Sequence, residues 1–187
     1  AEKSWTSNNP EEQEVIFKLD KGLMSVKICK ADLIEVKYTI LNTIPEKKSL
    51  VINNTWNGKV PFTLSSNQVE FIITTSRLII HVNKSTNAVS YYDKKGNVIT
   101  AEGQENKTMD STTIAGIHTY NCNTQFVSPA DEALYGLGCH PEDTLSINYK
   151  GRNQELLIKY LTGAIPVLLS TKGYGLLWDN YSASNFY

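Results

Sequence analysis

The histidines, together with one adjacent cysteine, are the first residues of this sequence to consider for chemistry. His81, His118 and His140 lie far apart, and none has a second ligand at the spacing that a metal site requires. Cys139 and His140 are neighbours, as a nucleophile and its base could be, but adjacent residues of a strand point to opposite faces. We therefore predict structural or surface roles for the three histidines, and no metal site.

The cysteines give no chemical signal of their own. Cys29, Cys122 and Cys139 are an odd number and contain no Cys-x-x-Cys pair, which is typical neither of a disulfide framework nor of a zinc site. Strand cysteines mostly behave as small hydrophobic residues, so we expect buried free thiols, with one bridge left open. The sequence indicates no cofactor.

Carboxylates and aromatic side chains are plentiful. Asp131 with Glu132, and Glu142 with Asp143, could supply the two carboxyls that flank the scissile bond in a glycosidase, but the sequence places no two of them across a pocket. The three tryptophans and ten tyrosines could stack on sugars, yet in a β-protein they mostly pack in the core or at sheet edges. We assign no catalytic residue.

Composition and charge limit the function classes. The 187 residues suit one domain, and a net charge of −1 without a basic face argues against nucleic acid as a partner. No apolar run reaches the roughly 18 residues of a membrane span. Ala1–Glu14 is polar and has no signal-peptide core, so the compartment is left open, an exported protein whose signal has been removed being one option.

The elements that must position these side chains are strands. Period-two alternation with β-branched and aromatic residues recurs between polar turns, at Val15–Leu19, Leu23–Cys29, Leu33–Ile40, Val69–Thr74 and Leu78–Val82. Residues 93–97 (Asp-Lys-Lys-Gly-Asn) are typical of a tight turn. We predict an all-β, mostly antiparallel sandwich over residues 14–187 after a polar segment 1–13, with a long loop at Glu102–Thr113.

Two segments are more specific than any of these patterns. Residues 131–138 read Asp-Glu-Ala-Leu-Tyr-Gly-Leu-Gly, and the two glycines in a strand-like run indicate a place where another backbone or a ligand approaches closely. Residues 164–180 contain a buried strand at Ile165–Leu169, a turn ending at Gly173, and a returning strand at Tyr174–Trp178. The second segment therefore predicts a hairpin.

In this order and spacing the two segments resemble glycoside hydrolase family 31. The N-terminal domain of that family carries an acidic-x-x-Tyr-Gly-Leu-Gly stretch and, a few tens of residues later, a hairpin of the form Ile-Pro…Gly-Tyr-Gly…Asp-Asn. The strand pair within Leu78–Thr100 is also similar to that family, so the resemblance extends from Val15 onward. Cys139 departs from the Glu or Gln that usually follows Tyr-Gly-Leu-Gly in the family.

The resemblance implies a supersandwich of the galactose-mutarotase-like type, packed on the catalytic (β/α)8 barrel of a retaining α-glycosidase. The catalytic aspartates of the family lie on that downstream barrel, so the resemblance assigns no catalytic residue to this chain. A loop of the domain reaches the barrel mouth in the family. By position it falls within Asn148–Leu161, and the side chains suited to sugar hydroxyls are Tyr149, Arg152, Asn153 and Gln154.

Three functions are compatible with these features. The first is an accessory domain of an enzyme that hydrolyses terminal α-glucosidic or α-xylosidic bonds, with an oligosaccharide as the substrate of the parent protein. Because the loop lacks the Asn-Arg-Asp pattern of some members, the choice between glucoside and xyloside is open. The second is a free-standing carbohydrate-binding module. The third, a mutarotase-like isomerase, needs a histidine and a carboxylate in one cleft, and the scattered histidines argue against it.

Overall fold

Strands make up all the regular secondary structure of the residues that the structure describes. The structure is a computed structural model, and it describes residues 5–9, 13–46, 48–140, 147–158 and 162–187, without the side chains of 5–9, 105 and 106. The strands are β1 (Trp5–Asn9), β2 (Glu14–Lys18), β3 (Leu23–Lys30), β4 (Leu33–Thr39), β5 (Thr63–Ser66), β6 (Glu70–Thr74), β7 (Ile79–Asn83), β8 (Val89–Tyr92), β9 (Val98–Ile114), β10 (Ile117–Phe126), β11 (Leu134–Cys139), β12 (Gln154–Leu156), β13 (Gly163–Ser170), β14 (Gly175–Leu177) and β15 (Ser184–Phe186). All their pairings are antiparallel, which confirms the predicted fold class.

The chain divides into two compact units. Unit 1 comprises Ala1–Lys48 and Asn53–Val127, and unit 2 comprises Ser49–Ile52 and Ser128–Tyr187. Within the described residues, no helix is long and apolar enough to cross a membrane. The single-domain organisation expected for residues 14–187 stays a prediction, and the polar segment before it contributes strand β1, which pairs with β2.

Unit 1 is a sandwich of two sheets. One sheet has the strand order β1-β2-β3-β4, and the other has the order β10-β9-β8-β7-β6-β5. Alternate residues of the facing strands form one core, in which the rings of Phe17 and Phe71 lie 5.0 Å apart and Met24, Ile73 and Ile80 are fully buried. Burying each such side chain contributes about 1.5–3 kcal/mol, so the alternation read from the sequence is what holds the sheets together.

The turn predicted at residues 93–97 is present. One carboxylate oxygen of Asp93 accepts hydrogen bonds from the backbone N–H groups of Lys95 and Asn97, at 2.8 and 2.9 Å. Gly96 has a φ of 85°, which a side chain disfavours. A third hydrogen bond, from the side-chain amide of Asn97 at 2.8 Å, contributes most to holding the pKa of Asp93 below its ordinary value, and the two backbone hydrogen bonds act in the same direction.

The prediction of a long loop at Glu102–Thr113 is wrong. These residues belong to β9, in which Glu102 pairs with Phe126 of β10 and Lys107–Ile114 pair with Ile117–Thr124 as a two-stranded ribbon. Most described side chains of the ribbon are exposed on both faces, so no alternation of apolar and polar residues marks it as a strand. One anchor is visible near its base, where Lys107 forms a buried ion pair with Glu102. Burial lowers the pKa of Lys107, and the carboxylate of Glu102 opposes that shift.

Unit 2 contains a three-stranded sheet of order β11-β13-β14 and a two-stranded sheet of β12 and β15. The predicted hairpin is confirmed as β13 and β14, closed by a 2.9 Å hydrogen bond from the Ser170 N–H to the Tyr174 carbonyl. The expected burial of its first strand holds for one face alone. Leu168 packs in the core of unit 2, whereas Ile165 and Leu169, on the opposite face, are more than half exposed.

Candidate functional site

The loop predicted to meet a sugar lies in unit 2, and its described part runs from residue 148 to 158. Its remaining residues, 159–161, lie outside the described residues. The side-chain oxygen of Asn148 accepts hydrogen bonds from the backbone N–H groups of Leu134 and Lys150, at 2.9 and 3.1 Å. The N–H of Tyr149 donates to the Leu134 carbonyl at 2.8 Å. The start of the loop is therefore fastened to the first residue of β11.

Tyr149 is a core side chain. It is 4% exposed and forms the buried cluster of unit 2 with Leu137 and Leu156. Its carbonyl accepts a 3.0 Å hydrogen bond from the Arg152 N–H, which closes a tight turn through Gly151, whose φ is 71°. Tyr149 thus anchors the turn that carries the polar residues after it.

The other three predicted residues follow the turn in sequence and differ in exposure. Arg152 is half-buried and has an interaction partner, Asn153 is exposed, and Gln154 is half-buried. Gln154 is also the first residue of β12, where it pairs with Phe186 of β15. The structure therefore brings Arg152, Asn153 and Gln154 together on a short backbone stretch that is fixed at both ends.

His140 connects this stretch to the Tyr-Gly-Leu-Gly segment. Its Nε2 lies 2.7 Å from the carbonyl oxygen of Leu137, and its Nδ1 lies 3.0 Å from the side-chain nitrogen of Gln154. The His140 ring also meets the Tyr149 ring edge-on, with centroids 6.2 Å apart. From the sequence we predicted a structural or surface role for His140, and no spacing rule could have found its contacts, because Gln154 lies 14 positions further along the chain.

The Tyr-Gly-Leu-Gly segment is a bulge with an unusual backbone. The φ angles of Gly136, Leu137 and Gly138 are 111°, 64° and 103°, and the register of β11 against β13 shifts between the two glycines. A Cβ at Gly136 would lie 2.3 Å from the carbonyl oxygen of Val167, and one at Gly138 would lie 1.8 Å from that of Gly163. The close backbone approach predicted from the two glycines is present, and the bulge directs Leu137 into the core of unit 2.

Glu132 links the two motif segments. Its carboxylate is 3% exposed and accepts hydrogen bonds from the hydroxyls of Ser128 and Ser170. Burial acts to raise the pKa of Glu132, but hydrogen bonds from Ser170, Ser128 and Tyr174 outweigh it and hold the pKa below its ordinary value. Glu132 is therefore an ionised structural residue that ties the start of β11 to the β13–β14 turn.

Two acidic pairs were the other candidates from the sequence. Glu142 and Asp143 lie outside the described residues, and Asp131 is an exposed partner of Lys172 at 2.5 Å. Hydrogen bonding to Lys172, followed by the charge of that lysine, lowers the pKa of Asp131. No group of three or more histidine, cysteine or acidic side chains within the described residues could hold a metal ion.

One histidine does meet a carboxylate. Nδ1 of His81 lies 2.8 Å from Glu70 on the neighbouring strand, and the His81 ring lies 4.7 Å from that of Tyr92. In β6 and β7 these residues alternate with the buried Phe71, Ile80 and Val82, so they lie on the sheet face opposite the core. The pair is half-buried on that face, whereas a mutarotase-like isomerase would need the histidine and the carboxylate to converge in a cleft.

The cysteines differ in burial. All three are free; Cys29 is buried, as expected, whereas Cys122 and Cys139 are exposed, so the expectation of buried thiols fails for two of them. Burial, followed by the nearby charge of Glu35, raises the pKa of Cys29 to about 11. Cys139 is the last residue of β11 and pairs with Gly163 through its backbone. The next residue, His140, makes side-chain contacts with Leu137 and Gln154.

Comparison with known proteins places these features in one family. A family model described as the glycosyl hydrolase 31 N-terminal galactose mutarotase-like domain matches residues 23–186. An alpha-xylosidase of Saccharolobus solfataricus is 30% identical over 112 residues, which are 56% of this chain and 15% of the relative.

Solved structures agree with this match. A GH31 alpha-xylosidase from Xanthomonas citri superimposes with a TM-score of 0.85 and 25% identity, over 93% of this chain and 19% of that one. A GH31 alpha-xylosidase from a soil metagenome, complexed with xylose, has a TM-score of 0.78 and 18% identity, over 97% and 29%. The chain therefore spans less than a third of the length of each of these relatives.

Proposed function

Because the chain belongs to the glycosyl hydrolase 31 N-terminal galactose mutarotase-like domains, we propose that it is the non-catalytic N-terminal domain of a retaining α-glycosidase. In that enzyme it packs on a downstream catalytic barrel of the same polypeptide. It lends the loop containing Arg152, Asn153 and Gln154 to the substrate pocket, and the substrate is an oligosaccharide with a terminal α-xylosyl or α-glucosyl unit. The relatives described above are alpha-xylosidases, which makes an α-xyloside the first substrate to test.

The observation that carries the proposal is the fixed polar stretch after the Tyr149 turn. Arg152 and Gln154 are half-buried on either side of the exposed Asn153, and guanidinium and amide groups can donate to sugar hydroxyls. Tyr149 and Asn148 hold the backbone in place, so little conformational entropy is lost when a ligand binds. In this arrangement the buried Tyr149 anchors the loop in the core, and Arg152, Asn153 and Gln154 provide the polar groups.

The proposal gives this domain no catalytic role, and the chemistry of retaining glycosidases explains why. A retaining glycosidase needs one carboxyl to protonate the leaving oxygen and a second to attack the sugar, about 5–5.5 Å apart. In this proposal both carboxyls belong to the barrel. We expect the purified 187-residue chain to hydrolyse neither aryl α-xylosides nor aryl α-glucosides, while the complete gene product hydrolyses at least one of them. Turnover by the purified chain that survives further purification would refute the proposal.

The role of the loop is tested separately, in the complete gene product. Replacing Asn153 or Arg152 by Ala should lower kcat/KM up to about tenfold, because a lost hydrogen bond costs about 0.5–1.5 kcal/mol. The exposed Asn153 is the cleaner position, since changing an exposed side chain alters stability by about 0.5 kcal/mol or less. Lys172→Ala, at an exposed turn of the same unit, is the matched control. Unchanged kinetics in both loop variants would remove the loop from the pocket.

A free-standing carbohydrate-binding module is the alternative, and two measurements separate it from the proposal. The gene sequence that follows Tyr187 either encodes a barrel or does not. Calorimetry of the purified chain with xylose and glucose oligosaccharides gives the second answer. We expect at most weak binding, because the barrel side of the pocket is not part of this chain. Micromolar affinity would favour the module.

A further inference from the structure

We infer that His140 is a positioning residue of the candidate site, which orients the side chain of Gln154 so that its carbonyl oxygen accepts a hydrogen bond from a sugar hydroxyl. The inference rests on the proposed function, because it concerns the same loop. It adds a residue outside the loop and a direction for one hydrogen bond to the substrate.

The direction follows from which atoms can donate. The Leu137 carbonyl can only accept, so Nε2 of His140, 2.7 Å away, carries the hydrogen. In the neutral ring Nδ1 then has a lone pair and accepts. Its partner, 3.0 Å away, is the amide nitrogen of Gln154, which can only donate. Gln154 therefore donates to His140, and His140 donates to the Leu137 carbonyl.

These two hydrogen bonds determine the orientation of the Gln154 side-chain amide. With its nitrogen held against His140, the amide directs its carbonyl oxygen away from the ring, and no donor within the described residues is hydrogen-bonded to that oxygen. Gln154 is half-buried and follows the exposed Asn153, so part of the Gln154 residue is open to solvent. A sugar hydroxyl can donate to it, whereas a flipped amide would present two donors instead.

The final acceptor of these hydrogen bonds, the Leu137 carbonyl, belongs to the backbone of the bulge. Leu137 has a φ of 64° between two glycines that also have positive φ, and this conformation sets the direction of its carbonyl. The same bulge buries the Leu137 side chain against Tyr149, whose ring packs edge-on against His140. A backbone conformation that non-glycine residues rarely adopt is therefore maintained at the point where it orients a functional side chain.

The test uses variants of the complete gene product. Gln154→Met keeps the length of the side chain and removes the amide, and His140→Ala removes the orienting ring. We expect each to raise KM for an aryl α-xyloside or α-glucoside roughly two- to tenfold with a smaller effect on kcat. The double variant should be no worse than Gln154→Met, because His140 acts through Gln154. Cys139→Ala, at the exposed neighbour of His140, is the control and should match the wild type.

A spectroscopic signature complements the kinetics. Nitrogen-15 NMR of the imidazole should show the hydrogen of His140 on Nε2, and Gln154→Met should shift the Nδ1 signal. A hydrogen on Nδ1 of the neutral ring overturns the inference, whether or not His140→Ala folds. So does an unchanged KM in Gln154→Met when Asn153→Ala raises KM, which leaves the proposed function intact. If Asn153→Ala, Arg152→Ala and Gln154→Met all leave KM unchanged, the part of the proposed function that assigns the loop to the pocket and this inference fall together.

Discussion

Gly138→Ala should destabilise unit 2 by more than its backbone angle alone predicts. The φ of Gly138 is 103°, and a Cβ there would lie 1.8 Å from the Gly163 oxygen and 2.8 Å from the Ile165 nitrogen. Both are backbone atoms of the paired strand β13, so relief requires that strand to move. The positive φ costs about 1–3 kcal/mol and the forced displacement about 1–3 kcal/mol more, which together give about 2–6 kcal/mol.

Gly173→Ala is the matched control. Gly173 also lies in unit 2 and has a φ of 83°, but a Cβ there would meet no atom within 4 Å. It should therefore cost only the conformational part, about 1–2 kcal/mol. Urea denaturation of both variants, followed by circular dichroism and tryptophan fluorescence, gives the two free energies of unfolding. If they agree within about 0.5 kcal/mol, the close approach of the two strands contributes nothing and the reasoning is refuted.

Two further predictions concern ionisable groups. Because hydrogen bonds lower the pKa of Glu132 in the folded state, its contribution to stability is fully present above the ordinary glutamate pKa and is lost as the pH falls through the folded value. Glu132→Gln should therefore weaken folding at pH 7 by roughly 2 kcal/mol and flatten the loss of stability between neutral and acid pH in thermal melts; an unchanged profile would contradict this. A chromogenic disulfide reagent should modify the exposed Cys139 and Cys122 in the native chain and reach Cys29 only after unfolding, since burial raises the pKa of Cys29 to about 11. Rapid native reaction of all three thiols would show that the core around Cys29 opens.

Period and turn chemistry were sufficient to predict most of unit 1. Glu14–Lys18 and Glu70–Thr74 bury alternate side chains, and this alternation is visible in the sequence because one face meets the core and the other does not. The β9–β10 ribbon was not predicted, because its two faces do not differ in this way. Both faces of the ribbon are open to solvent, so its pairing depends on backbone hydrogen bonds, which leave no hydrophobic period in the sequence.

The place of the candidate site in the chain stays a prediction, and the structure adds the detail of its side chains. The position of the loop between the two motif segments followed from the family resemblance, but the sequence could not separate a supporting Tyr149 from an exposed Asn153, because both are polar residues of a loop. The exposure of each depends on the turn at Gly151 and on the core formed with Leu137 and Leu156. The role of His140 depends on the direction of one carbonyl in the bulge, which only the three-dimensional structure specifies.

The residues that identify the family and the residues that would select a substrate therefore perform different tasks. Glu132, Gly136 and Gly138 are fixed by a buried carboxylate and by two close backbone contacts, and none of these interactions involves a ligand. Their effect is to hold the bulge, and the bulge in turn orients His140 and Gln154. A chain can keep the motif, and with it the fold, while the stretch from Arg152 to Gln154 changes its polar groups. If the proposed function holds, substitutions in that stretch, with the motif intact, are the place to look for a change from xyloside to glucoside, and kcat/KM ratios of paired substrates are the measurement that would reveal it.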